Sequence, residues 1–191
     1  MIDPIALFNE RFAEAKRVEP HDATAVTLAT ADLHGRPSAR MVLLKGADER
    51  GFTFFTNRTS RKGRDLSENP FAALCFHWPA LQEQVRVEGS VALVDDGESD
   101  AYFASRPRES QIGAWASEQS APLGSREALI ARVREIEARF PGEVPRPPHW
   151  GGYRLTPERI ELWRAGTARL HDRFLYTRDA DGAWTLTRLN P

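Results

Sequence analysis

Between Ala25 and Val94 the chain passes through five successive segments of strand character: Ala25–Thr30, Ser38–Lys45, Phe52–Thr56, Phe71–Trp78 and Val85–Val94. All are rich in Val, Leu, Phe and Thr, the residues that fit a pleated, half-buried surface. The first connections, Asp32-Leu33-His34-Gly35 and Asp48-Glu49-Arg50-Gly51, carry turn chemistry. Three more strands are expected near the end, at Tyr153–Leu155, Arg159–Trp163 and Phe174–Thr177, and a last one, Trp184–Leu189, returns across an Asp181-Gly182 turn. Strands in sequence, local hairpins and few helices argue for a mainly β, α+β protein: an antiparallel barrel with peripheral helices. No Gly-rich strand-to-helix loop occurs, so neither a Rossmann nor a P-loop nucleotide site is expected.

The helices are legible from their caps. Asp3-Pro4 suits a helix start, and Ile5, Phe8, Phe12 and Ala15 then recur on one face. A helical middle runs from about Gly97 to Phe140; its clearest member starts at Ser125, with Leu129, Val133, Ile136 and Phe140 as the apolar stripe. Pro141 to Gly152, with four prolines and three glycines, reads as a rigid loop.

With 191 residues there is enough chain for one domain spanning 1–191. A net charge of −1 gives no reason to expect nucleic acid or an anionic membrane, so any anion must be held by local clusters of Arg and Lys. The one cysteine, Cys75, rules out an internal disulfide framework and reads as a small core residue. No targeting segment or apolar span is visible, and the chain reads as cytoplasmic.

Four clusters could carry chemistry. In Arg40-Met41-Val42-Leu43-Leu44-Lys45, strand alternation sends Arg40 and Lys45 to opposite faces, ~16 Å apart along the strand, which suits two separate anions; two cations snorkelling into water is the plainer alternative. Ser60-Arg61-Lys62 puts two cations at a helix N-terminus, against the macrodipole unless a phosphate docks there. Tyr102 and Arg106 are one turn apart, Pro107 should break the helix, and Ser110 follows, so a phenol, a guanidinium and a hydroxyl could meet one phosphate. In Arg169-Leu170-His171-Asp172-Arg173, strand alternation places Arg169, His171 and Arg173 on one face. They would repel unless something electron-rich lies against them, with a salt-bridge network to Glu161 or Glu158 as the structural alternative. The five histidines have no metal-ligand spacing, and no nucleophile elbow is present.

In this order and nearly this spacing, these clusters resemble the pyridoxamine 5′-phosphate oxidase family over practically the whole chain. The most specific stretches are Arg40–Lys45, Ser60-Arg61-Lys62, Ser105–Trp115, Glu118–Ser120, Trp150-Gly151-Gly152, Arg169–Arg173 and the terminal Arg188-Leu189-Asn190-Pro191. The resemblance implies an FMN-binding split β-barrel and a homodimer whose two active sites are built from both subunits. It implies that Arg40, Met41, Val42, Leu43, Leu44 and Lys45 line FMN, followed by Phe55 and Thr56, with Arg61 and Lys62 on its phosphate. Gln84, Gln119, Ser120, Trp163 and Arg173 would contact the flavin ring region. Lys45, Tyr102, Arg106 and Ser110 would hold the substrate phosphate, and Arg169, Leu170 and His171 would lie against the pyridine ring, with Arg169 and His171 catalytic.

The activity so implied is oxidation of pyridoxamine 5′-phosphate or pyridoxine 5′-phosphate to pyridoxal 5′-phosphate. A hydride passes from C4′ to N5 of FMN, O2 is the final acceptor and H2O2 the product, with ammonia released from the amine. Two features depart from the family pattern. Glu161-Leu162-Trp163-Arg164 stands where Glu-Phe-Trp-Gln is common, and the chain starts after the family's N-terminal extension, so a substrate lid is expected to be absent or to come from another segment. Two other functions fit parts of the pattern: a split-barrel oxidase of phenazine-type precursors, and a non-enzymatic flavin- or pyridoxal-phosphate-binding protein.

Overall fold

Helix α1 (Pro4–Val18) starts where its cap predicts: the Asp3 carboxylate accepts the Ile5 N–H at 2.9 Å and Pro4 occupies the first turn. The computed structural model describes residues 3–191, so Met1 and Ile2 lie outside the described residues. The face carrying Ile5, Phe8, Phe12 and Ala15 is buried. The Phe8 ring lies 4.9 Å from Phe52, 5.0 Å from Phe76 and 5.8 Å from Trp78, so α1 packs an aromatic face into the sheet's interior.

The sheet is antiparallel throughout. Strands β1 (Ala25–Ala31), β2 (Pro37–Asp48), β3 (Gly51–Asn57), β4 (Phe71–Trp78), β5 (Glu83–Leu93) and β6 (Trp150–Arg164) are ordered β3-β2-β1-β4-β5-β6. A β3–β6 pairing closes this array into a six-stranded barrel. Strands β7 (Asp172–Arg178) and β8 (Trp184–Arg188) extend it from β6. Inward positions, among them Val26, Leu28, Phe54, Leu74, Phe76, Val87, Leu155 and Ile160, form the main core. Cys75 differs from expectation: its neighbours Leu74 and Phe76 point inward, which leaves the thiol half-buried on the outer face, its pKa raised by burial.

Strand β6 is the second correction. It is one continuous strand including Trp150-Gly151-Gly152, whereas the sequence pattern reads a loop to Gly152 and then two separate strands. Thr156-Pro157 interrupts the alternation because β6 changes partner there: Trp150 to Leu155 pair with β3, and Arg159 to Arg164 with β7. Pro157, which has no N–H, sits at the switch opposite Gly89, where the β5–β6 register shifts. A Cβ on Gly89 would come within 2.0 Å of the Thr156 carbonyl oxygen, so only glycine lets the strands approach.

Helix α2 (Arg61–Glu68) follows β3. The helices α3 (Asp96–Ala104), α4 (Arg108–Ala116) and α5 (Arg126–Arg139) sit between β5 and β6, with Pro107 breaking α3 from α4 as expected. Ser125 caps α5 through the Ala128 N–H. A second apolar cluster, Phe103, Ile112, Val144 and Trp150, packs α3 and α4 against the barrel. Among the described residues, no helix is long and apolar enough to cross a membrane.

Candidate active site

Alternation along β2 separates the residues of its motif. Leu44 is buried in the core, while Met41 and Leu43 are exposed on the other face with Lys45. The Leu44 side chain thus packs in the core, and it lines neither the cleft nor the nook described below. Arg40 and Lys45 do lie on opposite faces, as alternation requires.

The outer face of β2, strand β3 and the α3–α4 corner enclose a cleft of about 640 Å³, within the range of small-molecule sites. Met41, Val42, Leu43 and Lys45 form one wall, Phe55, Thr56 and Lys62 another, and Tyr102, Arg106, Ser110 and Gln119 the rest. Its floor is an aromatic stack, with Phe55 and Tyr102 ring centroids 4.1 Å apart and Phe55 and Trp150 5.5 Å apart. The Lys45 ammonium lies 6.0 Å from the Tyr102 ring centre. The Arg106 guanidinium is half-buried over Trp150, and its NH1 is buried with no hydrogen-bond partner among the described residues. Burial lowers its pKa, against a raising contribution from Tyr102. A buried donor without an acceptor is costly, so this corner is shaped for an anion.

An adjoining nook of about 370 Å³ shares Met41, Lys62 and Gln119 with the cleft and adds Arg40, Arg61 and Ser120. Lys62 Nζ is buried and donates to Thr56 Oγ1 (3.0 Å), Ser60 Oγ (3.3 Å) and Gln119 Oε1 (2.7 Å), all neutral oxygens. Burial, and then the nearby charge of Arg40, lower its pKa to about 8. Arg40 donates to Thr30 Oγ1 at 2.7 Å and Ser38 Oγ at 2.7 Å and lies 3.6 Å from the buried Asp65 carboxylate, which accepts from Thr30 Oγ1 at 2.6 Å. Burial lowers the Arg40 pKa too, Asp65 opposing that and Arg61 adding to it. Three cations and the N-terminus of α2 thus face one nook with a single buried carboxylate behind them. Thr30, Ser38 and Asp65 carry no motif, and only the folded chain brings Asp65 to a partner 35 residues away.

The remaining expected residues lie elsewhere in the same protomer. Gln84 and Trp163, cross-strand partners on β5 and β6, line a different cleft of about 220 Å³. His171 packs on Trp163 with ring centroids 4.6 Å apart, and its Nδ1 accepts the Gly166 N–H at 3.2 Å. Arg169 and Leu170 are exposed. The expected strand through Arg169 is not formed: Thr167–Arg169 is a short 3-10 turn and β7 begins at Asp172. Ala168 and Arg169 both have left-handed backbones, at φ 54° and 65°, a strained pair for residues with side chains. Arg173 does find the electron-rich partner that its charge demands. Glu161, buried, accepts its Nε at 2.8 Å and also pairs with Arg86. Burial pushes the Glu161 pKa up, but the bond from Arg173 and the charge of Arg86 outweigh it and hold the carboxyl below its ordinary range.

A closed antiparallel barrel bearing a basic, aromatic-floored cleft defines a class of small-molecule-binding split barrels, and comparison with known proteins narrows it. Residues 12–140 match the family described as pyridoxamine 5′-phosphate oxidase, and residues 150–191 match the pyridoxine 5′-phosphate oxidase C-terminal dimerisation region. The chain belongs to the pyridoxamine 5′-phosphate oxidase family. It is 66% identical over 190 residues to the pyridoxine/pyridoxamine 5′-phosphate oxidase of Anaeromyxobacter dehalogenans, covering 99% of this chain and 96% of that one. With the enzyme of the same description from Paraburkholderia phymatum it shares 56% over 189 residues, covering 99% and 89%. Among solved structures it is similar to PhzG from Burkholderia lata in complex with tetrahydrophenazine-1-carboxylic acid, with a TM-score of 0.94, 36% identity, and 99% and 93% of the two chains covered. The fold is shared with a pyridoxamine 5′-phosphate oxidase-related, FMN-binding protein from Nostoc punctiforme, at a TM-score of 0.80, 21% identity and full coverage of both chains.

Proposed function

We propose that this chain oxidises pyridoxamine 5′-phosphate and pyridoxine 5′-phosphate to pyridoxal 5′-phosphate, with FMN as cofactor and O2 as acceptor. The observation that carries this reading is the convergence of Lys45, Tyr102, Arg106 and Ser110, from β2, α3, the α3–α4 corner and α4, on one cleft where Arg106 holds a buried, unpaired N–H. The residues present also fit FMN. Lys62, Arg40 and Arg61 offer cationic donors with room for a terminal phosphate, and the exposed apolar Met41 and Leu43 flank the space beyond it. When bound there, FMN would supply the redox chemistry, a two-electron oxidation at C4′ with O2 as final acceptor.

The residues of the chain bind and orient. Phosphate contacts remote from C4′ supply binding energy that fixes the reacting geometry. Arg169, a planar donor on a strained turn, pins the pyridine ring near C4′. Because His171 Nδ1 is occupied by the Gly166 N–H, the proton of the neutral ring resides on Nε2, which is left as a donor. The amine reaction consumes water and O2 and releases ammonia and H2O2; the alcohol reaction consumes O2 and releases H2O2.

We further propose a homodimer in which Gln84, Trp163, Arg169, Leu170, His171 and Arg173 of one protomer complete the cleft of its partner. The match of residues 150–191 to a dimerisation region supports this, as does the separation of these residues from the cleft within one protomer. A second reading, oxidation of a phenazine-type substrate, is favoured by the likeness to PhzG, but such a substrate has no phosphate for the four cleft residues. Steady-state kinetics with pyridoxamine 5′-phosphate and pyridoxamine decide between them. Strong preference for the phosphorylated amine, shrinking in Arg106→Ala through a raised KM, supports the proposal, and equal use of both amines by the unaltered enzyme refutes it.

A further inference from the structure

Arg106 raises a positioning problem. Its side chain is long, and its NH1 is buried with no hydrogen-bond partner among the described residues to order that edge. What lies against the guanidinium is aromatic: the Trp150 ring centre at 4.7 Å and the Phe103 ring centre at 5.6 Å. Trp150 is 6% exposed and is itself closely held. Its backbone N–H donates to the Pro147 carbonyl at 3.0 Å, its backbone carbonyl accepts from Arg146 at 2.7 Å, and its ring lies parallel to Tyr102 and Phe55 and edge-on to Phe103.

We propose that Trp150 is a positioning residue for substrate recognition: its ring face holds the Arg106 guanidinium in the cleft and so sets the preference for phosphorylated over unphosphorylated substrates. A carboxylate in this place would orient the arginine equally well but would occupy the N–H edge and neutralise the charge that the phosphate needs. An aromatic face attracts the cation through its quadrupole, leaves the in-plane N–H donors free and keeps the site positive. Tryptophan is the strongest of the aromatic side chains in this role. The same ring lies parallel to Tyr102, so one residue aligns two of the four groups of the subsite. This inference rests on the reading of Lys45, Tyr102, Arg106 and Ser110 as a phosphate subsite.

The test is the ratio of kcat/KM for pyridoxamine 5′-phosphate to that for pyridoxamine, measured in FMN-saturated enzyme. Trp150→Leu should reduce this ratio roughly tenfold through KM for the phosphorylated amine, and Trp150→Phe, which keeps a weaker ring face, by about threefold. In an Arg106→Ala background, Trp150→Phe should leave the ratio where Arg106→Ala alone puts it, because the platform then has nothing to hold. The phenylalanine variant keeps the apolar stack, so the test stands even if the leucine variant does not fold. A merely structural role lowers both substrates alike and leaves the ratio intact. An unaltered enzyme that prefers the phosphorylated amine, with Trp150 variants that keep its full ratio, overturns the role of Trp150 alone. An unaltered enzyme without that preference overturns the phosphate-subsite reading and this inference together.

Discussion

Replacing Lys62 with methionine should change cofactor affinity and protein stability in opposite directions. The Lys62 ammonium is buried among neutral oxygens beside Arg40, and its pKa falls from 10.5 to about 8. Since the folded-state pKa is the lower one, the unfolded chain holds more protons between these values. The penalty is therefore full below about pH 8 and fades as pH rises towards 10.5; at neutral pH the shift corresponds to roughly 3 kcal/mol. Lys62→Met should accordingly stabilise the ligand-free protein near pH 7 by up to that amount. A bound phosphate reverses the balance, because it needs the charged amine. Below pH 8 Lys62 is already protonated and FMN affinity should be flat in this group. Above pH 8 binding must take up a proton, so affinity should fall towards tenfold per pH unit, about thirtyfold by pH 9.5. Titrating ligand-free protein into FMN between pH 7 and 9.5, following flavin fluorescence, measures this, and the same series on Lys62→Met subtracts any titration of FMN itself. A flat profile for the unaltered protein, or equal slopes for both proteins, would refute the argument.

Three further outcomes are expected. Arg169→Ala should lower kcat with FMN content and fold intact, and Arg169→Lys should recover only part of the loss, since an ammonium cannot reproduce a planar guanidinium; unchanged kcat in stopped assays of Arg169→Ala would remove this residue from the reacting centre. If sites are shared between protomers, unfolding and refolding an equal mixture of Arg106→Ala and Arg169→Ala chains should restore about a quarter of full activity, because half the dimers are mixed and each has one intact site. No recovery would place each site within one chain. Phe8→Ala, which removes a fully buried ring from the aromatic cluster of α1, should cost ~3–5 kcal/mol in urea unfolding; a loss under 1 kcal/mol would mean that α1 is not anchored by this ring.

How far the fold could be read depended on whether the signal was local. The helix at Pro4–Val18 and the first five strands were legible because caps, turns and alternation act within a few residues. Strand β6 was not read whole, because its change of partner at Pro157 depends on strands β3 and β5, which lie far away in the chain, as well as on the neighbouring β7. In the motif around His171, period-two alternation placed Arg169 on a strand, but the left-handed Ala168-Arg169 pair turns the chain before β7 starts. Cluster chemistry was visible for Lys62 and Arg106, since opposed or unpaired cations announce an anion. The roles of Asp65 and Trp150 were not visible, because what matters is which cation each one holds, and only tertiary contacts decide that.

The most direct measurement is aerobic turnover of pyridoxamine 5′-phosphate by purified protein whose bound flavin is identified after acid release. The account predicts FMN as the released flavin, and pyridoxal 5′-phosphate and H2O2 formed in equal amounts at the expense of O2. FAD as the main flavin, or no aldehyde and no peroxide from FMN-loaded protein, would contradict it.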